Sequence, residues 1–311
     1  MLRFAVRKLL NISLSLFCIV TLTFFLMKII PGDPFMQEQS TSKEIMEQMY
    51  AHYGLDKPLF IQYLNYLKGV VTFDLGPSFI YEGQTIGSII SQGLPYSLVL
   101  GTEALILAIT GGITLGSLAA CYQGKKIDKG MMVIAALCIS FPNYLVGALL
   151  QYLFAIKLNW LPVARMSSFS HSILPAISLA ALPMAYIARL TRTQMIEVLS
   201  QDYVMTAYAK GLKKREVFFR HVLKNSLTPV VTYLGQLITL LLSGNFIVEK
   251  LFGIPGLGGW FVKSVINRDY TVIMGITIFY SAMLMVFIFI TEIAYLYLDP
   301  KVRAERLDAS S

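Results

Sequence analysis

The stretch LLNISLSLFCIVTLTFFLM, residues 9–27, contains no charged side chain. The hydrocarbon core of a bilayer is about 30 Å thick, and a helix needs about 20 apolar residues to cross it. The stretch therefore predicts a membrane-spanning helix. Arg3, Arg7 and Lys8 precede it, as in a secretory signal peptide, but no cleavage site of small residues follows. This favours an uncleaved anchor helix.

Five further apolar runs follow along the chain. The six predicted spans cover approximately residues 9–29, 97–121, 131–156, 173–191, 229–249 and 272–298. Hydrophobic residues make up 56% of the 311 positions and charged residues 14%, which is a membrane composition. Because the apolar runs are continuous rather than alternating, they indicate helices and not the strands of a β-barrel. The sequence predicts an all-α polytopic membrane protein with six transmembrane helices.

The net charge of +8 raises the question of nucleic-acid binding, and the placement of the basic residues argues against it. They gather at the N-terminus, in the turn after the second span, around the end of the fourth span, and in the tail. These four segments share one side of a six-span chain, and cytoplasmic loops collect lysine and arginine. The pattern predicts that both termini are cytoplasmic and that nucleic acid is not a partner.

No enzyme motif is found in the sequence. It lacks a Walker A loop, a His-Glu-x-x-His pair and a Gly-x-Ser-x-Gly elbow. Its three cysteines, Cys18, Cys121 and Cys138, have no metal-ligand spacing. We therefore expect no catalytic residues, no cofactor and no metal. A chain with several spans and no enzyme motif can serve to move a solute across the membrane, and two energy sources would then stay open: an ion gradient used by this chain, or a separate ATPase.

The ion-gradient hypothesis depends on two carboxylates in predicted spans, Glu103 in the second and Glu292 in the sixth. An acid inside a membrane is costly and is therefore a functional candidate. Both residues lie near span ends, where water or headgroups are within reach. Structural or interfacial roles are thus the favoured interpretation, and an ion-driven carrier is the distant alternative.

The chain divides into three parts. Residues 1–95 contain the anchor helix and a small extracytoplasmic helical segment, residues 96–299 the transmembrane core, and residues 300–311 a cytoplasmic tail. The core includes a long basic connection at about residues 192–228, between the fourth and fifth spans.

Two helices are predicted within the extracytoplasmic segment. Thr41 and Glu44 have the spacing of a capping box, and Gly54 is placed to end the first helix. The second helix is predicted from Leu59 to Val70. Its aromatic face either packs locally, in the core of the segment or on the membrane interface, or docks a soluble partner, and local packing is the favoured interpretation.

Prolines and glycines mark further turns. Pro142, Pro175 and Pro183 fall within predicted spans and are expected to kink them. The loop at residues 250–271 has glycines on both sides of Pro255, which resemble a nucleotide-binding spacing. Since no strand precedes them, a tight re-entrant turn is the better interpretation.

The basic connection after the fourth span has strong helix formers and an interruption at Gly211, which predicts two short helices around a turn. Its sequence YVMTAYAKGL at residues 203–212 resembles the coupling loop of ABC importer permeases. That family's pattern is Glu-Ala-Ala, three residues, Gly, nine residues, Ile-x-Leu-Pro. The chain matches at Ala207, Gly211 and Leu223 with the spacing intact, and departs at Met205, Thr206, His221 and Lys224.

The resemblance extends over nearly the whole chain. Its landmarks are PGDP at residues 31–34, YGLDKP at 53–58, DLGPSF at 74–79, MIEVL at 195–199, PGLG at 255–258 and LDPK at 298–301. The chain is similar to the first permease subunit of oligopeptide and dipeptide ABC importers, with the oligopeptide permease as the nearest likeness.

This resemblance implies a type I ABC importer permease fold in a bacterial plasma (inner) membrane. It implies half of a translocation path for peptides, surrounded by membrane lipid. The implied partners are a second homologous permease, two ABC ATPase subunits that hydrolyse ATP, and an extracytoplasmic solute-binding protein. Nickel, a metallophore or another small solute is the alternative cargo.

The residues expected to contact the ATPase are Met205, Thr206, Ala207, Gly211, Leu212 and Leu223. Ala207 and Gly211 are small and lie one helical turn apart, so they should leave a surface that a partner can approach closely. Gly211 can also adopt the backbone conformation of a turn. The adjacent basic residues 213–215 either pair with the ATPase or mark the cytoplasmic leaflet, and the second is favoured.

Overall fold

The computed structural model describes residues 2–30, 43–242 and 244–298. Thr41 and the tail at 300–311 lie outside the described residues. Within these ranges the regular secondary structure is helical, apart from one isolated bridge between Pro77 and Thr85, and loops connect the helices. The helices are α1 (Leu2–Ile29), α2 (Lys43–His52), α3 (Leu59–Thr72), α4 (Ile86–Cys121), α5 (Lys126–Ser140), α6 (Asn143–Leu150), α7 (Phe169–Leu199), α8 (Asp202–Ala209), α9 (Lys214–Val217), α10 (Lys224–Ser226), α11 (Thr228–Leu242), α12 (Phe246–Leu251), α13 (Leu257–Asn267) and α14 (Tyr270–Leu298). π-helical turns at Gln151–Lys157 and Phe218–Leu223 continue α6 and α9.

Four helices in the described ranges are long and apolar enough to cross a membrane: α1, α4, α7 and α14. Two further candidates are helix pairs bent by 111° and 51°, namely residues 126–157 and residues 214–242. If each bent pair crosses once, the spans number six, as the sequence predicts. The chain is therefore an all-α polytopic membrane protein.

The predicted third span, 131–156, is not one straight helix. α5 ends at Ser140, Phe141 is extended with φ −96° and ψ 134°, and Pro142 precedes α6. Proline lacks an amide hydrogen and disfavours helical geometry in the residue before it. The expected kink at Pro142 is thus present, and it changes the direction of the chain by 111°. α7, in contrast, remains one helix through both of its prolines.

The predicted fifth span, 229–249, also differs from the structure. α11 ends at Leu242, and Gly244 has a φ of +86°. The side chain of Asn245 accepts a hydrogen bond from the amide of Val248 and caps α12. A left-handed glycine followed by a capping residue ends one helix and begins another. Residues 246–249 therefore belong to α12 and not to the span.

α4 begins at Ile86, well before the start of the predicted span at residue 97. The cause is a capping box, in which the amides of Thr85 and Ser88 each donate to the other's side-chain oxygen at 3.1 Å. The predicted boundary between residues 95 and 96 falls inside α4. One continuous helix thus joins the two predicted parts.

α4 and α7 form the centre of the molecule and pack against each other along much of their length. Their approach is close because α4 presents glycines: a Cβ added at Gly112 would lie 2.6 Å from Cβ of Ile187. Gly116 meets the backbone of Ala188 in the same way. Small residues let membrane helices approach closely, and the dispersion attraction between the two backbones then holds the helices together.

The segment between α1 and α4 packs back onto the anchor helix. α2 ends as predicted at Gly54, which has a φ of +67°. In α3, the rings of Tyr63 and Tyr66 lie 5.3 and 5.4 Å from the ring of Phe24 in α1. The hydroxyls of Tyr63 and Thr21 share a hydrogen bond of 2.7 Å. The aromatic face of α3 therefore packs within the chain, which is the favoured of the two interpretations.

Candidate functional site

Residues 200–226 form a helical unit between α7 and α11, which we call the α8–α10 unit. α8 is followed by a turn at Gly211, whose φ of +81° lies in the left-handed region. α9, its π-helical continuation and α10 then lead into α11. Glycine adopts this conformation at little cost, so the chain can reverse here. The predicted pair of short helices around a turn at Gly211 is confirmed.

An apolar cluster under α8 holds the α8–α10 unit against the core helices. Its buried members are Ala120 from α4, Met195 from α7, Val204 and Ala207 from α8, Val217 from α9 and Val222 from the π-helical turn. Removal of this apolar surface from water is the force that fastens the unit. The unit is therefore attached to the ends of α4 and α7.

The opposite face of α8 is exposed and carries large side chains. Tyr203, Met205 and Tyr208 are exposed, with 62% of Met205 accessible; we call these three residues the α8 surface. The hydroxyl of Tyr203 accepts a hydrogen bond from Nδ2 of Asn225 at 3.0 Å, which ties α8 to α10. An exposed apolar patch with polar residues around it is typical of a protein interaction site.

The six residues predicted from the sequence are split by the structure. Met205, Thr206 and Gly211 are exposed. Leu212 and Leu223 are partly buried against the apolar cluster.

Ala207 is only 5% exposed and belongs to the interior of the unit. It does not form the close-approach surface that the sequence suggested. The reason is that α4 and α7 supply Ala120 and Met195, against which the Val204–Ala207 side of α8 packs.

An ion pair at the base of the α8–α10 unit is not predicted from the sequence. Arg192 in α7 donates from Nε and Nη2 to the two carboxylate oxygens of Asp128 in α5, at 2.6 and 2.8 Å. The amide of Gly124 also donates to Asp128, at 2.9 Å. Two-pronged contacts of this kind are the strong ones. They join the α4–α5 turn to α7 shortly before α7 ends. In the sequence, Asp128 is an acid within a lysine-rich turn, and this is only weak evidence for an ion pair.

A buried carboxylate organises the segment from residue 244 to 269, which we call the α12–α13 hairpin. Glu249 is 0% exposed and accepts hydrogen bonds from Oγ of Ser97 and the amide of Gly258, both at 2.8 Å. The amide of Leu257 donates to Oγ of Ser97 at 3.1 Å. These amides belong to the first turn of α13, where free donors and the helix dipole favour a negative charge.

The surroundings of Glu249 explain the glycines near Pro255. A Cβ at Gly258 would lie 2.8 Å from a carboxylate oxygen of Glu249, so a larger residue is excluded there. This agrees with a tight turn rather than a nucleotide loop. Burial raises the pKa of the Glu249 carboxyl, since the neutral donors replace water only in part.

A second buried carboxylate, Asp269, closes the hairpin. It accepts hydrogen bonds from the hydroxyl of Ser78 and from Oγ1 of Thr271. The amides of Phe79 and Val272 also donate to it, both at 3.3 Å. Asp269 thus fixes the loop before α4 to the start of α14, two segments that are distant in sequence.

The two membrane carboxylates have different surroundings. Glu292 accepts a hydrogen bond from Nζ of Lys8 at 2.8 Å, which joins α14 to α1 and gives Glu292 a structural role. Glu103 makes no hydrogen bond or ion pair with any residue in the part of the chain that the structure describes. It lines a cavity together with Tyr96 and Ser168.

The family described as binding-protein-dependent transport system inner membrane component matches the chain over residues 112–304, well over half of its length. The N-terminal component of the same family matches residues 1–100. The chain belongs to this family. It is therefore a transport subunit of an ABC transporter and not an enzyme.

Relatives of this permease match along almost the whole chain. It is 42% identical to the dipeptide transport system permease protein DppB of Bacillus subtilis, over 98% of this chain and 99% of the relative. It is 37% identical to the oligopeptide transport system permease protein OppB of Haemophilus influenzae, over 97% of this chain and all of the relative. The same identity and coverage hold for OppB of Salmonella typhimurium.

Solved structures show the same fold at low sequence identity. An inward-facing form of the MetNI methionine ABC transporter matches with a TM-score of 0.54 and 15% identity, over 70% of this permease and 95% of that chain. An amino acid ABC transporter matches with a TM-score of 0.54 and 18% identity, over 68% of this permease and 95% of that chain. The fold is that of an ABC transporter permease.

Proposed function

We propose that this permease forms half of the translocation path of an ATP-driven peptide importer. Its relatives include permeases named for dipeptides and for oligopeptides, at similar identities. A second homologous permease supplies the other half of the path, and two separate ATPase subunits hydrolyse ATP. An extracytoplasmic solute-binding protein delivers the peptide. The chain lies in a bacterial plasma membrane, in contact with lipid and with both termini in the cytoplasm.

The observation that carries this proposal is the two-sided construction of α8. Its inner face packs into the apolar cluster, and its outer face presents Tyr203, Met205 and Tyr208 without a covering segment among the described residues. Aromatic residues and methionine are enriched in the centres of protein interfaces. Of the positions that match the family's coupling pattern, Ala207 lies on this helix, Gly211 in the turn after it and Leu223 in the π-helical turn. The α8 surface is therefore the docking site that we assign to the ATPase.

The attachment of the unit supports a mechanical role. When the ATPases close on ATP, a force on the α8 surface passes through the apolar cluster to the ends of α4 and α7. The ion pair between Asp128 and Arg192 extends the connection to α5. A ligand can shift the conformation only by binding one arrangement more tightly than the other. The resulting rigid-body motion of the spans is alternating access.

The orientation follows from the basic residues. Lys210, Lys213, Lys214 and Arg215 are exposed on the α8–α10 unit. Lysine and arginine concentrate in cytoplasmic segments, and the ATPases lie on that side. A cysteine introduced at Glu47, in α2, should accordingly react with an impermeant reagent added outside. Reaction from the cytoplasm alone contradicts this orientation.

Docking is tested by Met205→Asp, which places a charge in the proposed interface without altering the buried face. We expect the variant to insert and fold normally, but to lose the ATPases during purification of the complex. Lys213→Ala is the matched control, since it removes a solvated charge worth about 0–1 kcal/mol. If Met205→Asp retains the ATPases and full uptake, the docking assignment is wrong.

The energy source and the cargo are tested in proteoliposomes that contain the whole complex. Uptake of a labelled tripeptide should require ATP and should persist when the proton gradient is collapsed at constant ATP. Uptake of nickel in place of the peptide favours the alternative cargo. If uptake is lost when the proton gradient is collapsed, an ion-driven carrier is favoured, and Glu103 is the first candidate for its proton-binding group.

A further inference from the structure

A cavity of about 390 Å³ lies between the first half of α4 and the start of α7. α4 contributes Pro95, Tyr96, Val99 and Glu103; the start of α7 and the loop before it contribute Met166, Ser167, Ser168, Phe169 and Ser172. The lining combines one carboxylate, several hydroxyls and two aromatic rings. Such a mixture of apolar walls and a few polar groups is typical of a small-molecule site.

Glu103 is the group in this cavity that requires an explanation. Unlike Glu292, which has Lys8, it has no cationic partner among the residues that the structure describes. Its carboxylate is therefore available to a cation that comes from outside this chain.

The position of Glu103 along α4 places it near the outer boundary of the membrane, where a solute would enter. Between Glu103 and the end of α4 at Cys121 the helix rises by about 27 Å, close to the thickness of the hydrocarbon core. Glu103 therefore lies near the membrane boundary opposite to Cys121. The α8–α10 unit packs beside Ala120, so the cavity is at the far side from the proposed ATPase site.

The hydroxyls beside Glu103 are held in place. Oγ of Ser168 shares a hydrogen bond with Nδ1 of His171 at 2.9 Å, and Oγ of Ser167 lies 3.3 Å from Nε2 of the same ring. Each hydroxyl retains a lone pair that can accept a further hydrogen bond. A cavity lined by a carboxylate and by hydroxyl oxygens suits a compact cation that donates several hydrogen bonds.

We infer that Glu103, with the loop at Ser167–Ser168, binds the primary ammonium group of the transported peptide's N-terminus. An ammonium has three donors and no acceptor, which matches this lining. The rings of Tyr96 and Phe169 can contact the cation or the first side chain of the peptide. The peptide as ligand rests on the proposed function. An ethanolamine lipid headgroup carries the same ammonium, so the experiment must separate the two sources.

The test measures equilibrium binding of labelled trialanine to the whole complex in nanodiscs of phosphatidylglycerol, which lacks an ammonium group. Glu103→Gln should weaken binding about two- to fivefold, the size expected for one partly solvated charge pair. Glu103→Asp should restore most of the affinity. Glu82→Gln, an exposed acid outside the cavity, is the control and should have no effect. N-acetyl-trialanine should show no dependence on Glu103.

Trialanine binding that is unchanged in Glu103→Gln overturns the site. Equal weakening of trialanine and its acetylated form also overturns it, because the ammonium is then not what Glu103 recognises. A parallel experiment in nanodiscs of phosphatidylethanolamine tests the lipid headgroup. If the wild-type complex retains this lipid, Glu103→Gln loses it and peptide binding is the same in both, the site binds lipid and not peptide. If Glu103-dependent binding occurs but no peptide is imported, the proposed function fails and the ammonium site stands.

Discussion

The α8–α10 unit and the α12–α13 hairpin are both short helices joined through a glycine turn, but their interiors differ. The buried cluster of the α8–α10 unit consists of apolar side chains, among them Val204 and Ala207, and its Tyr203–Asn225 hydrogen bond lies on the exposed side. The hairpin contains a fully buried carboxylate, Glu249, which accepts hydrogen bonds from Ser97 and Gly258. At its end a second buried carboxylate, Asp269, joins the loop before α4 to α14. Apolar burial in the α8–α10 unit has no preferred direction, whereas the hydrogen bonds in the hairpin require their donors at fixed positions.

This difference teaches that one chain attaches two similar segments by different forces. Apolar packing keeps its free energy when neighbouring surfaces slide slightly, whereas a buried carboxylate loses much when its donors move away. The hairpin is thus tied to α4 and α14, while the α8–α10 unit is anchored to α7 and carries an exposed face. Single substitutions can break each interior in turn.

The largest effect is expected for Ala207→Asp, which buries an unpaired charge in the apolar cluster. The cost is several kcal/mol, so the α8–α10 unit should open. Rates of limited proteolysis within residues 200–226 of the membrane-embedded protein measure this opening. Ala209→Asp on the exposed side of the same helix is the matched control and should stay resistant. Equal resistance of both variants contradicts the burial of Ala207.

Glu249→Ala should have the next largest effect. It leaves the Ser97 hydroxyl and the Gly258 amide without their acceptor, at a cost of about 3 kcal/mol for two unsatisfied groups. The thermal unfolding midpoint of the purified complex should fall. Glu82→Ala, which changes an exposed acid, should shift it little. A midpoint unchanged in Glu249→Ala shows that the hairpin does not depend on its carboxylate.

Asp128→Asn tests the attachment at the base of the α8–α10 unit. Loss of the charged hydrogen bonds to Arg192 should cost about 2 kcal/mol. Hydrogen exchange near the end of α7 should rise, while exchange in the hairpin should not. Lys126→Ala in the same turn serves as the control. Faster exchange in both regions would mean that the pair stabilises the whole fold and not this unit.

The smallest effect is a pH dependence that belongs to the hairpin. Burial raises the pKa of Glu249 above the ordinary value of 4.5, so the folded state binds this proton more tightly than the unfolded state does. Its contribution to the free energy of unfolding is present below pH 4.5 and is lost as pH rises through the folded pKa. The thermal unfolding midpoint of the wild type, minus that of Glu249→Gln, should therefore decrease with rising pH. A constant or growing wild-type advantage contradicts this sign.

The sequence by itself determined the features that depend on local residues. Uninterrupted apolar runs show where the chain can cross a membrane, because span length is set by bilayer thickness. Gly54 and Gly211 mark real turns, since few other residues adopt a positive φ without strain. The coupling motif and its flanking landmarks indicated the family to which the chain belongs.

Only the tertiary structure decided which face of α8 is buried. Both faces carry apolar side chains, Val204 and Ala207 on one and Met205 on the other, so an eight-residue helix has no pattern that selects the inward side. The choice is made by α4 and α7, which supply Ala120 and Met195.

The tertiary structure alone also decided which residues pair with Glu249 and Glu292. Glu249 meets Ser97 at a separation of 152 residues and Glu292 meets Lys8 at a separation of 284, and neither pairing has a signal in local spacing. Contacts between residues so distant in sequence depend on how whole helices pack, and packing is a property of all the helices together.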